Sequence, residues 1–302
     1  MIDVPAELTR TQIDYNGAAG RAFLDDLPRR AATFLDRWQL TLTGKSMHGV
    51  ASLVLPVERA DGTPAALKLP LLDEESVGEP LALRQWNGDA IVRLLEHDAD
   101  TGSMLLERLD ETRHLSALDD MHAATAILAG ILARLTAVAA PAGLRRLGDI
   151  AREMLDEVPE ALTSPLVDSA ARRTILDCAA AVRDVLDQPG DRLLHWDLHF
   201  DNILAAAREP WLAIDPKPLA GDPGFDLMPA LRNELRGGYD EKEVLYRFDL
   251  LTEATGQDRQ RAAAWTLGRA LQNLLWNIDD EDDELDADQL AIAATLRDNR
   301  LR

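Results

Sequence analysis

Residues 192–227 read RLLHWDLHFDNILAAAREPWLAIDPKPLAGDPGFDL. Two histidines, two aspartates and an asparagine crowd into positions 195–202 of that run. Such a cluster either holds a metal directly or presents a carboxylate to a substrate hydroxyl, and the surrounding pattern separates the two. RLLHWD reads as a strand entering a loop, and NILAAA and WLAID read as two further short strands. A strand–turn–strand hairpin over these segments would set Asn202 beside Asp215.

His195, Asp197 and Asn202 fit H-x-D-x-x-x-x-N, the spacing of a kinase catalytic loop. Phosphoryl transfer to a hydroxyl needs one carboxylate at the attacking oxygen and oxygen ligands for a Mg²⁺ ion bridging the nucleotide phosphates. Asp197 suits the first task, and Asn202 with Asp215 the second. Zinc hydrolysis is the competing reading. On a helix, His195 and His199 stand four apart and would share a face. They lie instead in a strand and loop, and such a site would need carboxylates from elsewhere. His195 is expected to brace the loop by bonding the backbone. Asp226, near the start of a helix in GDPGFDL, is expected to cap or brace the same loop.

Working outward, ASLVLPV (51–57) and AALKL (65–69) are short apolar runs around Asp61-Gly62, a hairpin signal. Lys68 sits among apolar neighbours, where an unpaired ammonium is costly to bury. It is expected to meet phosphate oxygens and a carboxylate. Glu79, at the start of a helix over Pro80–Trp86, is the first choice and Glu75 the second. TGKSMHG (43–49) contains GKS, but a P-loop needs a glycine where Gln39 stands. The stretch is expected to form a phosphate-covering hairpin loop, with Ser46 and backbone N–H groups as donors. IVRLLEH (91–97) and SMLLERL (103–109) read as two more strands, and Glu107 to Leu109 as a hinge offering backbone groups to an adenine. At the N-terminus, Pro28 is expected to separate two helical segments, Gly20–Leu27 and Arg29–Trp38. From about Ser116 the pattern is mostly helical. The expected architecture is α+β, with a β-rich N-terminal lobe over 1–109, a mainly helical C-terminal lobe over 110–302, and a ligand cleft between them.

The chain of 302 residues is 46% hydrophobic and 28% charged, enough for a sizeable core. No apolar run reaches the roughly 18–20 residues that span a bilayer, and the start lacks a secretory pattern. The single cysteine, Cys178, cannot form an internal disulfide. A cytoplasmic location is expected. The net charge of −21 disfavours nucleic acid and anionic membranes and favours a cationic ligand. Near the C-terminus, NIDDEDDELDAD (277–288) follows an amphipathic helix ending in Trp276. It reads either as a solvated acidic loop or as a stretch whose start faces the cleft. In the second case Asp279 and Asp280, beside Trp276, would pair with guanidinium groups, while Glu281 to Glu284 stay in solvent.

HWDLHFDNIL, WLAIDPKPLAGDPGFDL, ASLVLPV, AALKL, MLLERLD and ALQNLLWNI together resemble the aminoglycoside phosphotransferase superfamily, in its streptomycin 6-kinase and hydroxyurea phosphotransferase branch. Trp196, after the first histidine, matches the streptomycin branch. The resemblance runs over nearly the whole chain. It implies a protein-kinase-like two-lobed fold, ATP with Mg²⁺, and transfer of the γ-phosphate to a hydroxyl of a small molecule. It also implies Asp197 as the catalytic aspartate, Asn202 and Asp215 as metal ligands, and Lys68 on the nucleotide phosphates. The expected substrate is a small cationic antibiotic such as streptomycin, handled by a monomer and so connected with resistance. A metabolic kinase of a sugar, amino sugar or hydroxyurea-like compound and a ligand-sequestering pseudokinase are the alternatives.

Overall fold

A computed structural model describes residues 2–233, 238–280 and 284–301. The first helix, α1 (Ala6–Arg37), runs straight through Pro28, where two separate helices were expected. An interior proline costs about 3 kcal/mol. Here Leu27, Ala31 and Phe34 are buried against the first sheet, and that burial holds the helix together across it. The break falls at Gly17 instead, at φ 48° and ψ −116°, a left-handed backbone that favours glycine. The two limbs then touch so closely that a Cβ on Gly20 would lie 2.0 Å from the Gln12 carbonyl oxygen.

Six strands follow: β1 (Leu40–Leu42), β2 (Met47–His48), β3 (Ser52–Arg59), β4 (Pro64–Pro70), β5 (Leu94–His97) and β6 (Met104–Glu107). They form one antiparallel sheet in the order β1-β3-β4-β6-β5, with β2 also paired to β3. The Asp61-Gly62 hairpin closes as its sequence suggests, with Arg59 N–H donating to Thr63 O at 2.9 Å. Side chains alternate across a strand. Leu53, Leu55, Leu67, Leu69 and Leu105 pack against α1. Ser52, Val54, Ala66, Lys68 and Leu106 therefore face the other way, into a cleft. Between β4 and β5 lies α2 (Glu79–Trp86), which begins one residue earlier than expected. The expected strand over 91–97 is shortened to β5, and Ile91 instead bridges Ala213.

The chain leaves the sheet over Arg108 and Leu109 and enters β7 (Asp110–His114). Then come α3 (Met121–Thr136), β8 (Arg145–Arg146), α4 (Leu147–Ala161), α5 (Ser169–Val185), β9 (Arg192–Leu194), β10 (Ile203–Ala205), β11 (Trp211–Ala213) and β12 (Leu219–Gly221). The last helices are α6 (Leu227–Arg232), α7 (Glu241–Thr255), α8 (Arg259–Asp279) and α9 (Ala287–Arg300). Two small sheets, β11-β10-β7 and β8-β12-β9, lie on this helical part. Helix α8 is buried on all sides from Ala262 to Leu275 and forms its spine. Helix α2 and strand residues Met104 and Leu106 share the core of the helical part, so the two lobes are joined by packing as well as by the connector. The architecture is thus a sheet-rich N-terminal part and a helical C-terminal part. No helix among the described residues is long and apolar enough to cross a membrane.

Candidate active site

Strand β9 delivers His195, and the hairpin of β10 and β11 closes the loop that follows. Ile203 pairs with Ala213, and Ile214 N–H donates to Asn202 O at 2.9 Å. Asn202 and Asp215 are therefore neighbours at the open end of the hairpin. Two non-glycine residues here take a left-handed backbone, Trp196 at φ 66° and Asp215 at φ 56°. Each such residue costs roughly 1–2 kcal/mol and persists only where its surroundings hold it. For Trp196 the holding group is Asp226. Its buried carboxylate accepts from the backbone N–H of His195 at 2.8 Å and from that of Trp196. Burial pushes the Asp226 carboxyl up to about 7.

His195 is fully buried and its two ring nitrogens have different partners. Nε2 lies 3.0 Å from Ile214 O, which can only accept, and Nδ1 lies 3.3 Å from the Asp197 N–H, which can only donate. These partners assign the neutral tautomer with the proton on Nε2. Burial pushes its pKa down to about 4. A zinc site needs a free imidazole nitrogen, and His195 has none to offer. Among the described residues no group of three or more His, Cys, Asp or Glu is arranged to hold a metal by itself.

Lys68 Nζ donates to both oxygens of Glu79, at 2.8 and 2.6 Å, and to Asp215 Oδ1. Glu75 instead pairs with Lys217, at 3.4 Å. Burial works against the Lys68 ammonium, but Asp215 and Glu79 outweigh it and hold the amine above the ordinary lysine range. Burial likewise raises Asp215, yet the Lys68 ammonium, through its charge and its hydrogen bond, and Lys217 outweigh it, so this carboxyl stays below the usual range. Burial raises Asp197, against the opposing charges of Lys217, His199 and Arg269. Asn202 Nδ2 donates to Asp197 O at 2.9 Å, which leaves its Oδ1 as the atom available to a cation. That oxygen and Asp215 Oδ2 form an all-oxygen donor set, and it fits Mg²⁺ completed by phosphate and water.

The cleft under the first sheet has a volume of about 370 Å³. Val54, Ala66, Val92 and Leu106 make its apolar walls, with Lys68, Asn202 and Asp215 at one end. Glu107 and Leu109 line it as well. The Glu107 side chain is engaged by Arg208 at 2.8 Å and by the Arg93 N–H at 2.8 Å, and its own N–H donates to Arg93 O at 3.0 Å, so neither its side chain nor its N–H is open to a ligand. Ser46 lies before β2 and is not among the residues lining the cleft. The turn over the cleft is made by Gly49, Val50 and Ala51, and a Cβ on Gly49 would stand 4.0 Å from Asp215 Oδ2. Gln12 of α1 braces this turn, donating to Val50 O at 2.8 Å.

Asp197 itself lines a space of about 280 Å³ with His199, Asp201, Arg232, Arg269 and Asn273. A separate cavity of about 390 Å³, reached from the catalytic side through the Lys217–Glu75 pair, is lined by Asp73, Glu74, Glu75, Arg145, Glu153, Glu157 and Trp276. It adjoins a wider basin of about 740 Å³ through Glu157, Leu275 and Trp276. Asp279 lines that basin with Glu160, whereas Asp280 is exposed and lines neither space. Glu281 to Asp283 lie outside the described residues, and Glu284 is exposed. The acidity around this space therefore comes mainly from α4 and from the loop before α2, not from Asp279 and Asp280. LGDIAREMLDEVPEA carried the signal as a strongly amphipathic run, but no sequence spacing ties Glu153 and Glu157 to the catalytic loop. Arg269 is a second unanticipated residue. Its guanidinium sits 4.9 Å from the Trp196 ring centroid and 5.0 Å from that of Trp276.

Residues 37–281 match the family model described as aminoglycoside/hydroxyurea antibiotic resistance kinase. The chain belongs to that family. A hydroxyurea phosphotransferase of Kitasatospora aureofaciens is 58% identical over 98% of this chain and 86% of its own length. Streptomycin 6-kinases of Streptomyces glaucescens and Streptomyces griseus are 52% and 50% identical, over 98% of this chain and 98% and 97% of theirs. Among solved structures, a choline/ethanolamine kinase family protein from Mesorhizobium loti aligns at a TM-score of 0.61 with 16% identity, covering 91% of this chain and 92% of that one. A macrolide 2′-phosphotransferase from Brachybacterium faecium aligns at 0.59 with 20% identity, covering 92% and 100%. At those identities the likeness is one of fold, and the fold is protein-kinase-like. This antibiotic resistance kinase is an ATP-dependent phosphotransferase with an alcohol group as acceptor.

Proposed function

We propose that this kinase phosphorylates a hydroxyl of a cationic aminoglycoside, with streptomycin the first compound to test. The observation that carries this reading is the acidic space where Asp73, Glu74, Glu75, Glu153 and Glu157 converge, tied to the Asp197 side through Lys217, which pairs with Glu75 at 3.4 Å and is held cationic, against burial, by Asp197 and Glu75 together. Carboxylates meet guanidinium groups through paired, charge-assisted hydrogen bonds, which orient a ligand as well as attract it. Streptomycin carries two guanidinium groups on a long, rigid frame, and the two adjoining cavities offer length as well as charge.

In this reading the Asp197 carboxylate accepts the proton of the attacking hydroxyl and aligns it. Lys68, fixed by Glu79, meets the nucleotide phosphates. The apolar walls of the cleft take the adenine, with backbone groups between Glu107 and Leu109 at its edge. The backbone of the Gly49 turn covers the phosphates. Asn202 and Asp215 would hold Mg²⁺, which screens the phosphate charge when bound. His195 and Asp226 act on the loop and not on the substrate. Trp276 forms a wall of the acceptor space, and Asp279 borders its outer basin.

A second reading, hydroxyurea as acceptor, is favoured by the relative at 58% identity. Hydroxyurea is small and uncharged and would leave the acidic space without a task. The complete set of Asp197, Asn202, Asp215 and Lys68 speaks against a ligand-sequestering pseudokinase. A coupled ADP-release assay over streptomycin, other aminoglycosides, hydroxyurea and amino sugars tests all three. Turnover with streptomycin and little with hydroxyurea is expected. Preference for hydroxyurea replaces the first reading by the second, and absence of turnover with every acceptor favours sequestration.

A further inference from the structure

The chain has only four lysines, and two of them, Lys68 and Lys217, lie at this site. Lys68 is spoken for, held between Glu79 and Asp215 on the nucleotide side. Lys217 is not part of the H-x-D-x-x-x-x-N loop or of the Asp215 position, yet its placement is specific. Its backbone N–H donates to His195 O at 3.0 Å, which pins it against the first residue of the catalytic loop. Its side chain reaches toward the acceptor space, where Nζ stands 3.4 Å from Glu75 Oε2. Two residues after Asp215 and bonded to the His195 carbonyl, it stands between the catalytic loop and Glu75.

We infer that Lys217 is a further catalytic residue, whose ammonium meets the phosphoryl group as it passes from the nucleotide to the acceptor oxygen. This rests on the reading of Asp197 as the group facing the acceptor hydroxyl. In the transfer, the bond from phosphorus to the leaving nucleotide oxygen breaks and a bond to the acceptor oxygen forms. The hydroxyl proton goes to the Asp197 carboxylate. Lys217 keeps its protons and supplies charge where the equatorial oxygens carry it. Lys68 cannot do this from the donor side without leaving two carboxylates. Arg269 is stacked between Trp196 and Trp276, and its Nη1 is bonded to Gln272 at 2.6 Å.

The tie to Glu75 suits the role. The Lys217 side chain is 36% exposed and that of Glu75 27%, and an ion pair this open is worth little. A transferring phosphoryl group carries more charge than one carboxylate and would draw the ammonium away. Glu75 also lines the acidic acceptor space, so a cationic group arriving there would compete for the same carboxylate and release Lys217 toward the phosphate. A lysine suits such a movement, being a compact charge on a flexible stem with rotatable donors.

The test is steady-state kinetics of Lys217→Ala beside Asp197→Asn, with thermal melting of each. Loss of one preorganised electrostatic contact lowers kcat by ~10²–10³-fold. Lys217→Ala should show a fall of that order, with KM for ATP and for the acceptor little changed. Added ethylammonium should restore part of the lost kcat in a saturable way, which a purely structural lysine would not allow. Should the alanine variant fail to melt cooperatively, Lys217→Gln takes its place under the same criteria. A kcat near that of the native enzyme, or a loss confined to either KM, overturns the inference. If Asp197→Asn alone abolishes turnover, the reading of the site stands without Lys217. If Asp197→Asn keeps full activity, the reading itself fails.

Discussion

Lys68 Nζ lies 2.6 Å from Glu79 Oε2, and both side chains are almost wholly buried, at 7% and 2% exposure. Removing one member of such a pair leaves the other as an uncompensated buried charge. Glu79→Gln should therefore lower stability by about 3 kcal/mol, since Asp215 remains as a partner for the ammonium. Urea unfolding measures that loss. The same variant should raise KM for ATP, because Lys68 is then drawn wholly onto Asp215.

Asp197→Asn keeps the shape of the side chain and removes the carboxylate. A general base contributes roughly 10²–10⁴-fold. Turnover should fall by at least that much, while nucleotide affinity, measured by calorimetry, stays nearly constant. Full turnover in the variant would take Asp197 out of the chemistry.

Asn202 and Asp215 offer oxygen donors only. Activity should disappear with EDTA and return with Mg²⁺ or Mn²⁺. Recovery with zinc alone would contradict the proposed cation site.

On the proposed reading, Glu153→Gln combined with Glu157→Gln should raise KM for streptomycin and leave KM for ATP nearly unchanged, because both line the acidic cavity and neither lines the cleft under the first sheet. The rise should shrink with salt, since exposed charges are screened beyond about 8 Å at physiological ionic strength. Asp279→Asn with Asp280→Asn should have the smaller effect, as only Asp279 borders the basin. Equal kinetics for native enzyme and Glu153/Glu157 variant at low salt would remove these carboxylates from substrate recognition.

His195 gives stability a pH dependence of known sign. Its pKa falls from the ordinary 6.5 to about 4 on burial, so between those values the unfolded chain binds a proton that the folded chain refuses. Its contribution is fully present above pH 6.5 and is lost as pH falls toward 4, by about 3 kcal/mol in all. Asp226, raised to about 7, acts oppositely over the same range, favouring the fold at low pH and less so as pH rises. The informative quantity is the difference between native enzyme and His195→Gln. Denaturant unfolding should show the variant losing less stability than the native enzyme between pH 6.5 and 4. Parallel curves would mean that His195 is protonated in the folded state.

Much of the site could be read from local patterns, because local patterns are set by short-range backbone physics. Asp61-Gly62 closes a hairpin wherever two alternating runs flank it, and that hairpin sets Lys68 in a central strand. The spacing from His195 to Asn202, followed by an apolar strand into Asp215, makes a hairpin whose ends must meet. Tertiary packing had to decide wherever two local signals conflicted or no local link existed. Pro28 and Gly17 both weaken a helix, and only the burial of Leu27 and Ala31 against the sheet selects Gly17 as the break. Glu75 and Glu79 are both within reach of Lys68 along the chain, and the packing of α2 turns Glu79 inward and leaves Glu75 to Lys217. Asp73 and Glu157 are far apart in sequence and share one cavity because α4 packs against α8 across from the loop before α2. The sequence alone determined which residues could do the chemistry, since residue type and spacing travel with the backbone. Which carboxylates gather in the acidic cavity was left to the tertiary structure, because charges remote in the chain are brought together only when the helices that carry them bury their apolar faces.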